Sequence, residues 1–277
     1  MTGACSESMA ALIEERFLER RDVKAVQQSD GGYRPDRSAF TRRDLHSHLA
    51  GERTLGHYLV SPEGNCRLFA FDIDIVKPKP DADPPVVPKW RDELGMEHVY
   101  ESPRDTWLTV DPRVETDDTA VNYLRVGLAH MAEGLAAMVR RILDVPVAVA
   151  YSGGKGVHVY GFTGSAPAAD VREAAISVIE GFGRTFGAVV DNNVTSFQPT
   201  RGQNFYRHTM EDSPYQSLEI EVFPKQDAVT DLGNLMRLPL GINQKTGQPG
   251  YFRNFDDGRS TFAEDDPIAA LTEGTIR

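Results

Sequence analysis

Residues 69–75 read Phe-Ala-Phe-Asp-Ile-Asp-Ile, and this stretch decides the interpretation of the fold. Its aromatic and β-branched residues predict a buried β-strand. Because side chains alternate across a strand, Asp72 and Asp74 share one face. Two neighbouring carboxylates are costly to bury unless a positive charge compensates them, and Mg²⁺ and Mn²⁺ prefer such oxygen ligands. The stretch therefore predicts half of a metal site built on a sheet. The alternative is an edge strand with one polar face.

A second strand with alternating carboxylates is predicted over residues 218–223, Leu-Glu-Ile-Glu-Val-Phe. Glu219 and Glu221 share one face of this strand. A third carboxylate from a neighbouring strand would complete a two-metal site, and Glu221 is the candidate. For Glu219 a solvated strand face is the favoured interpretation. Lys225 follows the strand end, within reach of a triphosphate.

Residues 152–158 read Ser-Gly-Gly-Lys-Gly-Val-His and connect two predicted strands. Glycines let the backbone approach a ligand closely, and exposed amides beside Lys155 make a phosphate cradle. His158, at the start of a strand, is placed to donate to a phosphate oxygen. The motif is not a Walker A loop, because Gly156 stands where that loop has Ser or Thr. A glycine-rich hairpin with a structural histidine is the alternative.

Two further segments carry cations. Arg237 lies between apolar neighbours, so we expect it to be partly buried and paired with an anion, either a structural carboxylate or a nucleotide phosphate. Residues 200–208 mix cations and aromatics in a predicted loop, which suits stacking and phosphate contacts with single-stranded DNA. An ordinary surface loop explains the same residues equally well.

Composition excludes several classes of protein. The chain has 277 residues, a net charge of −11 and only two cysteines, Cys5 and Cys66, which excludes a cysteine-based zinc module and disfavours a disulfide framework. No apolar run is long enough to span a bilayer, and residues 1–20 do not have the pattern of a signal peptide. A reducing cytoplasm and no membrane partner are therefore predicted. Residues 81–118 contain eleven acidic and four basic side chains, so most of the acidity lies in one segment.

The order of elements predicts an α+β or mixed-sheet fold rather than a doubly wound one, because the strands come as hairpins between irregularly spaced helices. The chain is interpreted as a single catalytic domain, 1–277. Its parts are an N-terminal α/β portion at 1–60, an acidic proline-rich insertion at 77–118 and the remainder of the core at 119–247. Helices are predicted over 8–21, from Thr41 towards Leu49, over 119–143 and over 168–186. Further strands are predicted at 57–60, 146–151, 157–162 and, as a short strand or extended segment, 235–242.

The order of these motifs resembles the archaeo-eukaryotic primase superfamily. The motifs are Asp-x-Asp at 72–74, Ser-Gly-Gly-Lys-Gly-x-His at 152–158, Glu-x-Phe-Pro-Lys at 221–225 and Arg-x-Pro-x-Gly at 237–241. Shorter stretches at 17–23, 32–33, 44–45, 48–49 and 54–58 are similar to primase-polymerases of phage, plasmid, conflict-system and CRISPR-associated types. The resemblance covers about residues 17–247 and does not account for the acidic segment.

The resemblance implies an archaeo-eukaryotic primase fold, in which an RRM-like catalytic sheet is joined to a smaller N-terminal α/β unit. It implies that Asp72, Asp74 and Glu221 are catalytic and hold two Mg²⁺ or Mn²⁺ ions. The nucleotide-binding residues that it implies, with Lys225 added by its position, are Ser152, Gly153, Lys155, Gly156, His158, Lys225 and Arg237.

The implied function is that of a DNA primase or primase-polymerase, which transfers nucleotides from NTPs or dNTPs under the direction of a single-stranded DNA template. The alternatives are a metal-dependent nuclease and a non-catalytic nucleotide- or nucleic-acid-binding module on the same fold. Too few cysteines are present for the usual primase zinc module, so extension is better supported than de novo priming. No helicase motor motif is present, so a helicase or another replication, repair or defence protein would be a separate partner.

Overall fold

The computed structural model describes residues 3–75, 119–154, 156–189, 194–200, 205–210, 218–253 and 260–262. The predicted acidic insertion, 77–118, and Lys155 lie outside these ranges. The described helices are α1 (Gly3–Phe17), α2 (Arg42–Leu49), α3 (Thr119–Leu143) and α4 (Ala168–Val189). The described strands are β1 (Lys24–Gln27), β2 (Tyr33–Asp36), β3 (Leu55–Tyr58), β4 (Asn65–Ile75), β5 (Val147–Tyr151), β6 (Gly156–Pro167), β7 (Val194–Thr200), β8 (Phe205–Met210), β9 (Leu218–Phe223), β10 (Leu235–Arg237), β11 (Tyr251–Arg253) and β12 (Ser260–Phe262).

The strands form two antiparallel sheets. A small sheet has the order β10-β3-β1-β2, and a large sheet has the order β12-β11-β5-β6-β4-β9-β8-β7. Helices and antiparallel sheets in one chain make this an α+β fold, as predicted. The last strand of the small sheet, β10, comes from far along the sequence, so the N-terminal strands do not form this sheet alone.

The alternation of β4 separates an apolar face of the large sheet from a polar one. Phe69, Phe71 and Ile73 are fully buried, as the sequence predicts for one face of this strand. Helices α3 and α4 pack on the large sheet, α3 against β5 and β6 and α4 mainly against β4 and β6. Burial of these aromatic and aliphatic side chains fixes the register, because a one-residue slip would exchange the two faces.

The aromatic ring of Phe17, at the end of α1, covers part of the opposite, polar face of the large sheet. The ring of Phe17 meets Tyr160 and Phe162 edge-on, with centroids 5.0 and 5.2 Å apart. Tyr160 and Phe162 lie on the same face of β6 as His158, since they are two and four residues further along the strand. The part of this face that carries Asp72 and His158 borders an open cleft. The small sheet forms the other wall of the cleft.

Buried polar contacts attach α2 to the rest of the chain. Thr41 and Asp44 form a capping box: the Thr41 hydroxyl accepts from the Asp44 amide, and the Asp44 carboxylate accepts from the Thr41 amide. His48, which is fully buried, accepts from the Leu55 amide at Nδ1 (3.1 Å) and therefore donates from Nε2 to the Pro239 carbonyl (2.8 Å). Burial lowers the pKa of His48 to about 4, so the ring is neutral.

Most long elements lie where the sequence predicts them. The bounds of α3 and β9 match the predictions, and α2 begins after Thr41. The loop prediction for 200–208 was wrong in part, because residues 205–210 form β8. Residues 33–36 form β2, for which no strand was predicted. Strands β1, β7, β11 and β12 were not predicted. No helix in the described part of the chain is long and apolar enough to cross a membrane.

Candidate active site

Strand register brings three of the predicted site residues together. In the large sheet β4 lies between β6 and β9, and Asp72 stands directly opposite His158 on one side and Glu221 on the other. Directly opposed residues of antiparallel strands project to the same face, with Cβ atoms about 5 Å apart. The His158 Nε2 atom lies 3.3 Å from Asp72 Oδ1. The three side chains thus form one row across the sheet.

Asp74 lies two residues along β4, opposite Gly156 and Glu219. A Cβ atom on Gly156 would come within 2.3 Å of Asp74 Oδ1 and 3.3 Å of Asp72 Oδ1. The absence of a side chain at Gly156 therefore makes room for the two carboxylates. The sequence predicted a nucleotide-binding role for Gly156, and the structure places it beside the candidate metal ligands, as the first residue of β6.

Lys225 lies at the same end of β9 as Glu221. Its ammonium group forms an ion pair with the Glu221 carboxylate and lies 4.8 Å from the centroid of the Phe223 ring. The Lys225 amide donates to Asn234 Oδ1 at 3.2 Å, which fixes the backbone just after the strand. Lys225 thus supplies a positive charge directly beside the row of acidic residues.

Arg237 connects the two walls of the cleft. Its guanidinium donates from Nε to the Tyr33 hydroxyl at 2.9 Å and from Nη1 to the Ser152 carbonyl. Among the described residues no carboxylate pairs with it, and its partners there are a hydroxyl and a carbonyl. The alternative anion, a nucleotide phosphate, stays a prediction. Burial raises the pKa of Tyr33, and the nearby Arg237 charge opposes that rise, so the phenol stays protonated at neutral pH.

Tyr160 sets the orientation of the His158 ring. The hydroxyl of Tyr160 lies 2.8 Å from His158 Nδ1, and Tyr160 is fully buried. Burial, reinforced by the charge of Asp72, raises the pKa of Tyr160 well above its usual value, so the hydroxyl keeps its proton. With Tyr160 donating to Nδ1, a ring hydrogen lies on Nε2, which faces Asp72.

The cleft between the sheets has a volume of about 500 Å³. Its lining includes the predicted residues Asp72, Asp74, Ser152, His158, Glu221, Lys225 and Arg237. Lining residues that the sequence did not single out as site residues are Gln27, Tyr33, Gly154, Asn234, Asn243, Lys245 and Thr246. Only the motif stretch at 32–33 pointed towards Tyr33. The predicted phosphate contact of Lys155 falls outside the described residues and stays a prediction.

The carboxylates suit a divalent cation by their chemistry. In the described part of the chain no group of three or more His, Cys, Asp or Glu side chains is already arranged to hold a metal ion. Asp72, Asp74 and Glu221 nevertheless share one face at adjoining register positions. Lys225 and His158 already contact these carboxylates, Lys225 by an ion pair with Glu221 and His158 with its Nε2 3.3 Å from Asp72 Oδ1. Oxygen donors of this kind fit Mg²⁺ or Mn²⁺.

Comparison with known proteins gives a distant structural likeness but no match by sequence. No protein-family model matches the chain, and no curated protein matches its sequence. The chain is similar to the solved polymerase domain of ligase D from Mycobacterium tuberculosis in complex with DNA. The two are 12% identical, with a TM-score of 0.46, over 98% of this chain and 87% of that chain. A likeness this distant decides neither the fold family nor the activity of this chain.

Proposed function

We propose that this chain is a primase-polymerase that transfers nucleotides from NTPs or dNTPs to a strand paired with a single-stranded DNA template. The observation that carries the proposal is the register of the large sheet, which aligns Asp72 with Glu221 and His158 on the floor of the cleft. The motif order that resembles archaeo-eukaryotic primases supports it independently. Nucleotidyl transfer needs charge neutralisation and positioning more than covalent help from the protein, and this cleft offers both.

In this proposal Asp72, Asp74 and Glu221, called here the acidic row, would hold two Mg²⁺ or Mn²⁺ ions. When bound, such ions neutralise the triphosphate and make the attacking 3′-hydroxyl more acidic. The acidic row also restricts where the reacting phosphate can lie, because its side chains come from two adjacent strands of one sheet, β4 and β9.

The remaining residues bind and orient the nucleotide. His158 carries a hydrogen on Nε2, so it donates to a phosphate oxygen once that oxygen approaches the row. Ser152 and Gly153 belong to the glycine-rich turn at the end of β5, where backbone amides suit phosphate oxygens. Lys225 forms an ion pair with Glu221, and its ammonium group would pair with the triphosphate if that carboxylate held a metal ion.

The test is a synthesis assay on single-stranded DNA, with and without a labelled primer. It compares NTPs with dNTPs in Mg²⁺ and in Mn²⁺. We expect the wild-type protein to extend the primer, and Asp72→Ala to lower the rate by at least roughly 100-fold, since a charge-stabilising group in the reacting centre is lost. Asp227→Ala is the matched control, because Asp227 is exposed and does not line the cleft.

Three results would count against the proposal. Degradation of the DNA with metal alone and no nucleotide requirement would assign the same carboxylates to a nuclease. Nucleotide binding without incorporation in any metal would indicate a binding module. Retention of synthesis in Asp72→Ala, with the fold intact by circular dichroism, would remove Asp72 from the machinery.

A further inference from the structure

Three consecutive backbone carbonyls in the glycine loop, defined here as residues 152–154, accept hydrogen bonds from side chains. Arg237 donates to the carbonyl of Ser152, and the hydroxyl of Tyr151 donates to that of Gly154. The hydroxyl of Thr246 donates to the carbonyl of Gly153 at 2.5 Å. Three donors from three different parts of the chain thus hold a segment of only three residues.

These contacts determine where the amides of the loop point. In a trans peptide the N–H group is directed opposite to the carbonyl of the preceding residue. Fixing the carbonyls of Ser152 and Gly153 therefore directs the amides of Gly153 and Gly154 away from Arg237 and Thr246. Within the described residues neither of these two amides donates to another protein group. Successive free amides around a residue with φ of +70°, here Gly153, form a concave anion site.

The donor Thr246 belongs to a closed turn, residues 243–248, that we call the supporting turn. The Asn243 amide donates to the Gln248 carbonyl (2.8 Å), and the Gly247 amide donates to the Asn243 carbonyl (2.7 Å). The glycine loop sits tightly on this turn, because a Cβ atom on Gly153 would lie 2.5 Å from the Gln248 carbonyl oxygen. Gln27 of the small sheet donates to Asn243 Oδ1 at 3.2 Å, so the turn is itself anchored.

We propose that Thr246 is a positioning residue for a triphosphate. It acts through the Gly153 carbonyl and holds the adjoining Gly154 amide ready for a phosphate oxygen, without needing to touch the ligand. The inference rests on the proposed function for the identity of the ligand, a nucleoside triphosphate. It adds a residue to which the sequence analysis gave no role.

The test separates the loss of the Thr246 hydroxyl from a change in side-chain volume. Thr246→Val removes the donor and keeps the volume, and Thr246→Ser restores the donor. Thr163→Val is the matched control, because the Thr163 hydroxyl also donates to a glycine carbonyl, that of Gly164, far from the cleft (3.0 Å). The readouts are the Kd for inorganic triphosphate with Mg²⁺, measured by calorimetry, and the KM and kcat of primer extension.

We expect Thr246→Val to weaken triphosphate binding by about 5- to 10-fold, the effect of one hydrogen bond on a binding constant. KM for the nucleotide should rise by the same factor while kcat changes less than about 2-fold, because the loop binds rather than reacts. Thr246→Ser should return both values to within about 2-fold of wild type. Thr163→Val should leave them unchanged.

The inference is overturned if Thr246→Val binds triphosphate as tightly as wild type, if Thr246→Ser fails to rescue a loss, or if the wild-type protein does not bind triphosphate. Failure of the proposed function looks different. In that case the wild-type protein synthesises no DNA, while triphosphate binding is still weakened by Thr246→Val and restored by Thr246→Ser.

Discussion

Replacing Gly156 by alanine tests whether the Asp74 carboxylate must occupy its present position. The added Cβ would lie 2.3 Å from Asp74 Oδ1, whereas an ordinary contact begins at 3.4 Å, so the carboxylate must move by about 1 Å. The carbonyl oxygen of Ile73 would be 3.1 Å away and Asp72 Oδ1 would be 3.3 Å away, so the new methyl group has no free direction in which to shift.

The effect on stability should be small and the effect on activity large. The clash involves the end of a side chain beside a cleft, so the cost in folding free energy should be about 1 kcal/mol, at the low end for an overpacked site. Displacing a catalytic group by 1 Å costs roughly 100-fold in rate. We therefore expect Gly156→Ala to remain folded at 25 °C and to lose about two orders of magnitude in kcat.

The assay is primer extension under single-turnover conditions, together with urea denaturation of the same preparations. Gly164→Ala is the matched control on the same strand. It has a positive φ of +74° and open space around it, so the substitution introduces backbone strain but no clash with a site residue. The reasoning is refuted if Gly156→Ala keeps wild-type kcat, or if Gly164→Ala loses as much activity at equal stability.

Three further predictions test the metal site, the pH dependence and the buried charges. Saturation with Mn²⁺ to about 100 times its Kd should stabilise the wild-type protein by about 2.7 kcal/mol and leave Asp72→Asn unstabilised, as thermal denaturation against an EDTA control will show. Burial holds the pKa of His48 at about 4 in the folded chain against 6.5 in the unfolded chain, so the unfolded chain binds more protons between these values. The free energy of unfolding should therefore fall as the pH drops through that window, by about 2 kcal/mol from pH 7 to pH 5. In urea titrations at both pH values, His48→Gln should remove this contribution to the pH dependence of stability. Lys24, only 2% exposed, donates to Ser38 and Ala39 and pairs with Asp44 at 3.2 Å. Because Lys24→Met would leave the Asp44 carboxylate without this partner, we expect it to lower the free energy of unfolding by about 3 kcal/mol. A change below about 1 kcal/mol in urea denaturation would contradict this.

Long periodic elements were predictable because their information is local. The apolar residues of α3 step by three and four, so its bounds, Thr119–Leu143, follow from the sequence alone. The alternation in residues 69–75 likewise gave the faces of β4, and Phe69 is buried as expected. The short strands β1 and β2 have only four residues each, too few for alternation to be recognisable. Strand β10, Leu235–Arg237, lies within the segment 235–242 that was predicted as a short strand or extended segment.

The arrangement of the candidate site was only partly predictable. The sequence named Asp72, Glu221 and His158 separately, and no local pattern states that β4 lies between β6 and β9 in the register that aligns them. Thr246 was missed for a related reason: its contact with Gly153 joins segments distant in sequence, and a lone threonine in a turn carries no signal of its own. Arg237 was correctly expected to be partly buried, but its partners came from elements that had not been predicted as neighbours.

Strand β10 is synthesised long after its neighbour β3, and this affects when the small sheet can fold. As the chain leaves the ribosome, β3 has no neighbour on its outer side until residues 235–237 emerge, and His48 lacks the Pro239 carbonyl to which it donates. Arg20 also lacks its hydrogen-bond acceptors, the carbonyls of Asp231 and Leu232, until those residues emerge. Closing such long loops is slow and cannot begin early. A nascent chain stalled before residue 235 should therefore remain open to proteases, and a gene fragment ending there should yield no folded half.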